Sequence, residues 1–305
     1  MEKEIVLNIS KDLNGNSQPG EIILRGRKIA TTPFTRSTII FATSEAGKPV
    51  VIKFPTKKSK AEREWTGFCK AYTADVPTPM PIALVTSKGG RVGVMQEEVG
   101  GQSLYKCPGG QARIRFGEIV KDMHLKVPTA GIEWQEKGKA DYTYYDKRIQ
   151  CWSEGQVELL SAGSTTQAML GLLSPTMNRS CRSAPPMFNH NDLYDSQAIV
   201  GDQKIYLIDF EEWVEENPLN DIAYYLFHTI RSNMPEVNFG SFLSGYLGNE
   251  VLSEPEKQTL MFYLLFISAR ALNYFHASKS KYFEIAEKSH RAVTNYIDNE
   301  NVWKS

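Results

Sequence analysis

Residues 188–213 read FNHNDLYDSQAIVGDQKIYLIDFEEW, and this stretch decides the fold. The apolar, partly β-branched runs 198–200 and 204–208 flank Gly201-Asp202-Gln203, which supplies turn chemistry. The whole therefore reads as a polar loop followed by a short β-hairpin. In a hairpin turning near Asp202, residues equally distant from the turn lie side by side. Gln197 then falls opposite Leu207 or Ile208, with Asp195 and Asp209 close by. The open end of the hairpin gathers His190, Asp192, Asp195, Gln197 and Asp209, all hard oxygen groups except the histidine. Such a set suits Mg²⁺, which takes carboxylate and amide oxygens and keeps waters and substrate phosphates as its other ligands.

The same residues carry a family resemblance. His190-Asn191-Asp192-Leu193-Tyr194-Asp195-Ser196-Gln197 resembles the H-x-D-x-x-x-x-N catalytic loop of aminoglycoside phosphotransferases and choline-kinase-like small-molecule kinases. Ile208-Asp209-Phe210-Glu211 resembles their I-D-[FW]-E metal segment, and Pro218-Leu219-Asn220-Asp221-Ile222-Ala223 the P-x-x-D-[LI]-A that follows. Order and spacing agree over roughly thirty residues, which is far more specific than one motif alone. One position departs: Gln197 stands where the family has Asn, offering the same amide oxygen on a longer arm. The resemblance implies an α+β, bilobal protein-kinase-like fold. Its small antiparallel-sheet lobe would span residues 1–98 and bind nucleotide. The mainly helical lobe, 99–305, would carry catalysis and the acceptor.

Composition limits the alternatives. The chain has 305 residues, enough for two lobes, and its 35 basic and 35 acidic residues cancel. Phosphate-backbone affinity needs a basic excess, so no nucleic-acid partner is expected. The four cysteines, Cys69, Cys107, Cys151 and Cys181, are scattered without C-x-x-C spacing, as in a reduced protein. The first residues, MEKEIVLNIS, lack the apolar core of a signal peptide, and no apolar run approaches a membrane span. A cytoplasmic protein with no membrane partner is the expectation.

From residue 4 to about 96 the pattern is strand-like. IVLNI, EIILRG, RSTIIFAT, KPVVIKF and VGVMQEE are separated by turn residues such as Asn14-Gly15, Pro19-Gly20, Ala46-Gly47 and Gly89-Gly90. One helix interrupts them. Ser59-Lys60-Ala61-Glu62 has the form of a capping box, and Trp65, Phe68, Cys69 and Tyr72 follow on one helical face. Val51-Ile52-Lys53 resembles the kinase strand whose Lys holds the ATP α/β-phosphates. That Lys is oriented by a Glu from the next helix. Glu62 and Glu64 both flank the apolar face; the capping box accounts for Glu62, and Glu64 sits as the family's Glu does, four before Phe68.

The segment in place of the phosphate-covering loop, Thr31-Thr32-Pro33-Phe34-Thr35-Arg36-Ser37-Thr38, has no glycine. Backbone N–H groups, Arg36 and the Ser37 and Thr38 hydroxyls are its phosphate donors. By resemblance, Met95-Gln96-Glu97-Glu98-Val99 is the hinge, with Gln96, Glu97 and Val99 against adenine, and Gly101-Gln102-Ser103-Leu104 opens the large lobe. A helix carrying Phe116, Ile119, Val120 and Met123 ends near His124, which reads as a structural histidine. Residues 142–161 and 164–182 have helical character, broken at Gly163 and Pro175. In related kinases this region and the C-terminal helices form the acceptor site. Beyond Asp221, Ile222, Ala223, Leu226, Phe227 and Ile230 share a helical face, and helices are expected over 255–277 and 279–298.

Charge is uneven along the chain. Residues 209–256 hold ten Asp or Glu against a single Arg231, while 20–70 are basic. A basic small lobe suits a polyphosphate nucleotide, and an acidic wall suits a cationic acceptor. The resemblance implies ATP-dependent phosphorylation of a hydroxyl on a small molecule, with GTP as the alternative donor, and the charge distribution suggests that the molecule is cationic. Aminoglycoside-type antibiotics and amino-alcohol or sugar metabolites are the candidate acceptors. Asp192 would take the hydroxyl proton and His190 brace the loop. Asp209 and Gln197 would hold Mg²⁺, and Lys53 with Glu64 would clamp the phosphates. By resemblance Asp221 would brace the catalytic loop, and Glu211, Glu212 and Asp195 would face the acceptor. A protein kinase is disfavoured because Glu211 replaces the D-F-G glycine and no A-P-E follows. A nucleotide-binding pseudokinase draws its support from Gln197 and the glycine-free loop.

Overall fold

The computed structural model describes residues 3–13, 20–31, 37–129, 142–154, 157–161, 164–183, 185–232 and 235–299. The expected turns at Asn14-Gly15 and Pro19, loop positions 32–36 including Arg36, and the break at Gly163 lie outside them. The chain forms two compact units, Met1–Pro108 with Asp195–Trp213, and Gly109–Tyr194 with Val214–Ser305.

The first unit is built on six antiparallel strands: β1 (Lys3–Asp12), β2 (Glu21–Thr31), β3 (Thr38–Ser44), β4 (Pro49–Phe54), β5 (Pro81–Ser87) and β6 (Val92–Glu97). They run in the order β1-β2-β3-β4-β6-β5 and close into a barrel, because β1 pairs with β5 as well as β2. Closure covers both edges of what would otherwise be an open six-stranded sheet. The sequence marks five of the six; β5 follows directly on the proline-rich 77–79 and is passed over. Side chains alternate along each strand. In β4, Val50, Ile52 and Phe54 enter the core with Leu7, Leu24, Ala42, Val85 and Met95, which leaves Lys53 on the opposite face.

Helix α1 (Lys58–Thr73) presents Ala61, Glu64, Trp65, Phe68 and Ala71 to the interior, while Cys69 and Tyr72 are only half-buried. The expected capping box does not form. The helix starts one residue before Ser59, with Lys57 as N-cap and no side-chain cap. Glu62 instead pairs with Lys58 one turn back at 3.6 Å.

The hairpin forms as read from the sequence. Strands β9 (Ala198–Val200) and β10 (Ile205–Leu207) pair with Val200 opposite Ile205, and the Gly201 N–H donates to the Lys204 carbonyl. A third strand, β7 (Gln102–Ser103), adds to β9, so residues 100–108 join the first unit beyond the boundary expected near Val99. Gly101 makes this close approach possible: its φ is +135°, and a Cβ there would collide with the Val200 carbonyl oxygen.

The second unit is helical. Helices α2 (Gln111–Lys126), α3 (Tyr142–Ser153), α4 (Thr165–Ser183), α5 (Leu219–Arg231), α6 (Pro235–Leu247), α7 (Glu254–Ala277) and α8 (Phe283–Asp298) are joined by a two-stranded ribbon of β8 (Met187–Asn189) and β11 (Val214–Glu216). Two features differ from the sequence reading. Pro175 lies inside α4 and does not end it. Helix α6 was not anticipated; it packs on α2 through Gly117 and Gly245, where a Cβ would meet the carbonyls of Phe242 and Ile114 respectively. Among the described residues Cys69, Cys107 and Cys151 form no disulfide. Among the described residues no helix is long and apolar enough to cross a membrane.

Candidate active site

The site residues fall into two clusters, one in each unit. In the first unit the hairpin aligns the two expected metal ligands through its backbone: the Ile208 N–H donates to the Gln197 carbonyl at 2.9 Å. Asp209 then adopts left-handed backbone, φ 70° and ψ 59°, a conformation Asp tolerates better than most residues. The chain thereby leaves the hairpin for a 3-10 turn, Phe210–Glu212, that packs on α1. Phe210 meets Phe68 edge-to-face at 5.0 Å. Gly67 leaves the room this needs, since a Cβ there would lie 2.6 Å from Trp213 Cδ1 and 2.7 Å from Phe210 Cβ.

Three carboxylates surround Lys53. Its Nζ lies 2.5 Å from Asp209 Oδ1, 3.1 Å from Glu211 Oε2 and 3.3 Å from Glu64 Oε1. Burial works to lower the Lys53 pKa, but the combined pull of Glu64, Asp209 and Glu211 overcomes it and raises the pKa, so the amine stays charged. Glu64, with 2% of its side chain exposed, is pushed up by burial, against the attraction of Lys53 and with the repulsion of Asp209 and Glu211. Of the two candidate glutamates, Glu64 is the one that meets Lys53.

Ligand oxygens of Glu64, Asp209 and Glu211 lie within 4.8 Å of one another, and the buried Glu64 Oε2 has no hydrogen-bond partner. Hard oxygens gathered in this way fit a divalent cation such as Mg²⁺. The other expected positions are spread around this centre. Gln197 is buried, as is Asp195, whose carbonyl accepts from the Ser103 hydroxyl at 3.4 Å. Ser37 is buried just before β3. Gln96 and Glu97 end β6, where the Glu97 N–H donates to the Met80 carbonyl, and Val99 follows in the connection.

Glu211 and Glu212, expected to face the acceptor, are engaged by Lys53, Lys60 and Arg63. The rest of the acidic run is largely matched as well. Glu216 accepts from the Tyr145 and Tyr263 hydroxyls at 2.9 and 3.0 Å. Glu250 pairs with Lys121, Glu254 with Lys257, and Glu256 completes a capping box with Ser253. Glu215 is buried. Part of the expected acidic wall is therefore engaged within the fold, while Glu250 and Glu254 stay 76% and 70% exposed in loose surface pairs, and the side chain of Glu236 lies outside the described residues.

The second cluster forms around Asp221. Its Oδ2 accepts the His190 N–H and its Oδ1 the Asn191 N–H, both at 2.7 Å. Oδ2 also meets His124 Nε2 at 3.1 Å, and His124 Nδ1 contacts the Tyr246 hydroxyl at 2.8 Å. Burial, with Asp221, Glu250 and Glu256 nearby, raises the Tyr246 pKa, so this phenol stays protonated. His190 and His124 are both buried. Asn191 has left-handed backbone, φ 63°, and its side-chain oxygen accepts from Asn220 Nδ2 at 3.1 Å. Asp192, 41% exposed, follows directly on this fixed turn. His228 was not anticipated. Its Nε2 lies 4.0 Å from Asp192 Oδ1 and its ring stacks on Tyr194 at 4.4 Å. Burial pushes the His228 pKa down to about 3, with Arg231 adding to the effect, so the ring is neutral near pH 7. In the sequence it looks like any helical residue near a C-terminus.

A sequence profile described as "Phosphotransferase enzyme family" matches residues 35–252. No curated protein sequence matches significantly. Solved structures do. A choline/ethanolamine kinase family protein from Mesorhizobium loti superposes with a TM-score of 0.63 at 13% identity, covering 88% of this chain and 87% of that one. Aminoglycoside 2'-phosphotransferase-IIIa, solved with GDP, gives 0.62 at 15% identity over 90% and 94% of the two chains. Amicoumacin kinase, solved with AMP-PNP and Ca²⁺, gives 0.60 at 13% identity over 88% of each. The fold is that of protein-kinase-like small-molecule kinases, with a β-sheet N-terminal part and a helical C-terminal part. Strands β1 and β2 precede the matched segment.

Proposed function

The chain belongs to the phosphotransferase enzyme family, and from that premise we propose that it transfers the γ-phosphate of ATP to a hydroxyl of a small molecule. The observation that carries this reading is Lys53, charged and held by Glu64, with Asp209 beside it. A lysine so placed clamps α/β-phosphates, and a carboxylate next to it serves the metal that accompanies them. Nucleotides in the related structures, AMP-PNP and GDP, support a nucleoside triphosphate as donor.

In this mechanism Asp192 receives the proton of the acceptor hydroxyl as its oxygen bonds to the γ-phosphorus and the bond to the β-phosphate oxygen breaks. ADP and a phosphate monoester result. A loose transition state releases the proton late, so an ordinary carboxylate suffices. His190 and Asn191 act by position: their N–H groups anchor the loop on Asp221, which directs Asp192. Asp209 and Gln197 would hold Mg²⁺, which would supply charge neutralisation on the phosphates. Lys53 contributes the remaining positive charge. Glu211, Glu212 and Glu216 are engaged within the fold, so they do not select a cationic acceptor, and the acceptor is defined here by its hydroxyl.

The test is ADP release from ATP and Mg²⁺ across a panel of hydroxylated small molecules: aminoglycosides, amino-alcohols and sugars. The expected result is release stimulated by one class and abolished by EDTA. ATP binding without stimulated turnover by any class favours the pseudokinase reading instead.

A further inference from the structure

Lys60, in the first turn of α1, reaches to the turn that follows Asp209. Its Nζ lies 3.0 Å from Glu211 Oε1 and 2.6 Å from Glu212 Oε1. The second oxygen of Glu211 lies 3.1 Å from Lys53 Nζ. One buried carboxylate thus joins two lysines, one on β4 and one on α1. Further fastenings lie along the same helix. Arg63 Nη1 is 3.6 Å from Glu212 Oε2, and the Trp213 indole N–H donates to the Arg63 carbonyl at 2.7 Å. The Lys70 ammonium lies 5.0 Å from the centre of the Trp213 ring, which rests over Gly67. Helix α1 also carries Glu64, so the segment after Asp209 and the partner of Lys53 are tied to one rigid element.

We propose that Lys60 is a positioning residue for the metal segment, holding Glu211 and Glu212 so that Asp209 and Glu64 keep a fixed arrangement around Lys53. Nothing in the sequence pattern marks it, since it reads as one of many lysines in a basic stretch. With Lys60 removed, Glu211 loses one of its two ammonium partners and Glu212 its closest one, and the 3-10 turn is free to shift Asp209. Two effects of removal oppose each other. Losing a positive charge strengthens the local attraction for a cation, whereas losing the anchor disorders a ligand. Changing groups that orient metal ligands typically costs about 10- to 100-fold in metal affinity, so the anchor dominates.

The proposal rests on the phosphotransferase reading, and its test separates the two. Binding of AMP-PNP is followed calorimetrically while Mg²⁺ is titrated, for the wild type, Lys60→Met, Lys60→Arg and Glu212→Gln. Lys60 is about one-third exposed, so folding should survive substitution, which thermal melts verify. Lys60→Met should raise the Mg²⁺ midpoint about tenfold, by analogy with other groups that orient ligands. Lys60→Arg should restore most of the wild-type midpoint, and Glu212→Gln should shift it in the same direction as Lys60→Met but less. A midpoint that is unchanged or lowered in Lys60→Met, while the wild type titrates normally, overturns the positioning role alone. If Lys60→Met does not fold, an unchanged midpoint in Glu212→Gln overturns it equally. A wild type that binds no nucleotide at any Mg²⁺ concentration overturns both this inference and the phosphotransferase reading.

Discussion

The two key turns of this protein, at Asn191 and at Asp209, share left-handed backbone but are held by opposite means. The loop before Asp192 is fixed through its backbone: two N–H groups point at one buried carboxylate, Asp221, itself backed by His124. The segment after Asp209 is fixed through side chains of opposite charge, with Lys53, Lys60 and Arg63 against Asp209, Glu211 and Glu212. Backbone hydrogen bonds to a buried acceptor are directional and hold one geometry. Ion pairs are radial and exchange partners when a cation or a phosphate arrives. The first device suits a base that must stay in place, and the second suits a site that trades Lys53–Asp209 contact for phosphate and metal.

The contrast can be broken most sharply at Asp221. Replacing it with Ala strips the acceptor from two buried N–H groups and from His124, a loss on the order of 3–5 kcal/mol for an interrupted buried charge network. Urea denaturation should show that loss, and turnover should fall at least about a hundredfold because Asp192 loses its direction. A near-wild-type midpoint and rate would mean the loop is held by something else.

At the metal segment the expected effect is smaller and specific to Mg²⁺. Gln197→Ala should raise the Mg²⁺ requirement about 10-fold or more, as ligand changes do, while Gln197→Asn keeps part of the activity. Stability should change little in either. If Gln197→Ala titrates like the wild type, the amide is no ligand and Asp209 serves with the neighbouring carboxylates.

How much of this was legible beforehand follows the same division. The hairpin could be read because local turn chemistry determines it, whereas the Lys53–Glu64 pair and the bracing of the loop by Asp221 were legible through the family resemblance, and the structural His124 through its place at the end of an apolar helical face. The role of Lys60, the engagement of Glu211 and Glu212, and His228 beside Asp192 could not, since they depend on which elements pack together. Glu216 in the acidic run shows the same division: charge density is visible in a sequence, but its partners Tyr145 and Tyr263 are far away along the chain. Barrel closure by β1 escaped notice likewise, because an edge strand gives no local sign of its second neighbour.

A separate effect concerns pH in the helical unit, at the buried His290. His290 is bonded on both nitrogens, to Thr166 and Ser268, and burial pushes its pKa down to about 4, with Arg291 adding to the effect. The unfolded chain, with a histidine pKa near 6.5, binds more protons between those values. Stability is therefore fully present above pH 6.5 and is lost as pH falls toward 4, by roughly 2–3 kcal/mol for this one group. Thermal melts of His290→Gln should show a flatter pH profile across that window, and an unaltered slope would assign the acid sensitivity elsewhere.

The central claim, that Asp192 serves phosphoryl transfer, is tested most directly by Asp192→Asn in the ADP-release assay alongside calorimetric nucleotide binding. Acceptor-stimulated kcat should fall by about 10²- to 10⁴-fold, the usual worth of a positioned acid–base group, while affinity for Mg²⁺ and AMP-PNP stays near the wild-type value. Unchanged stimulated turnover in that variant would contradict the account.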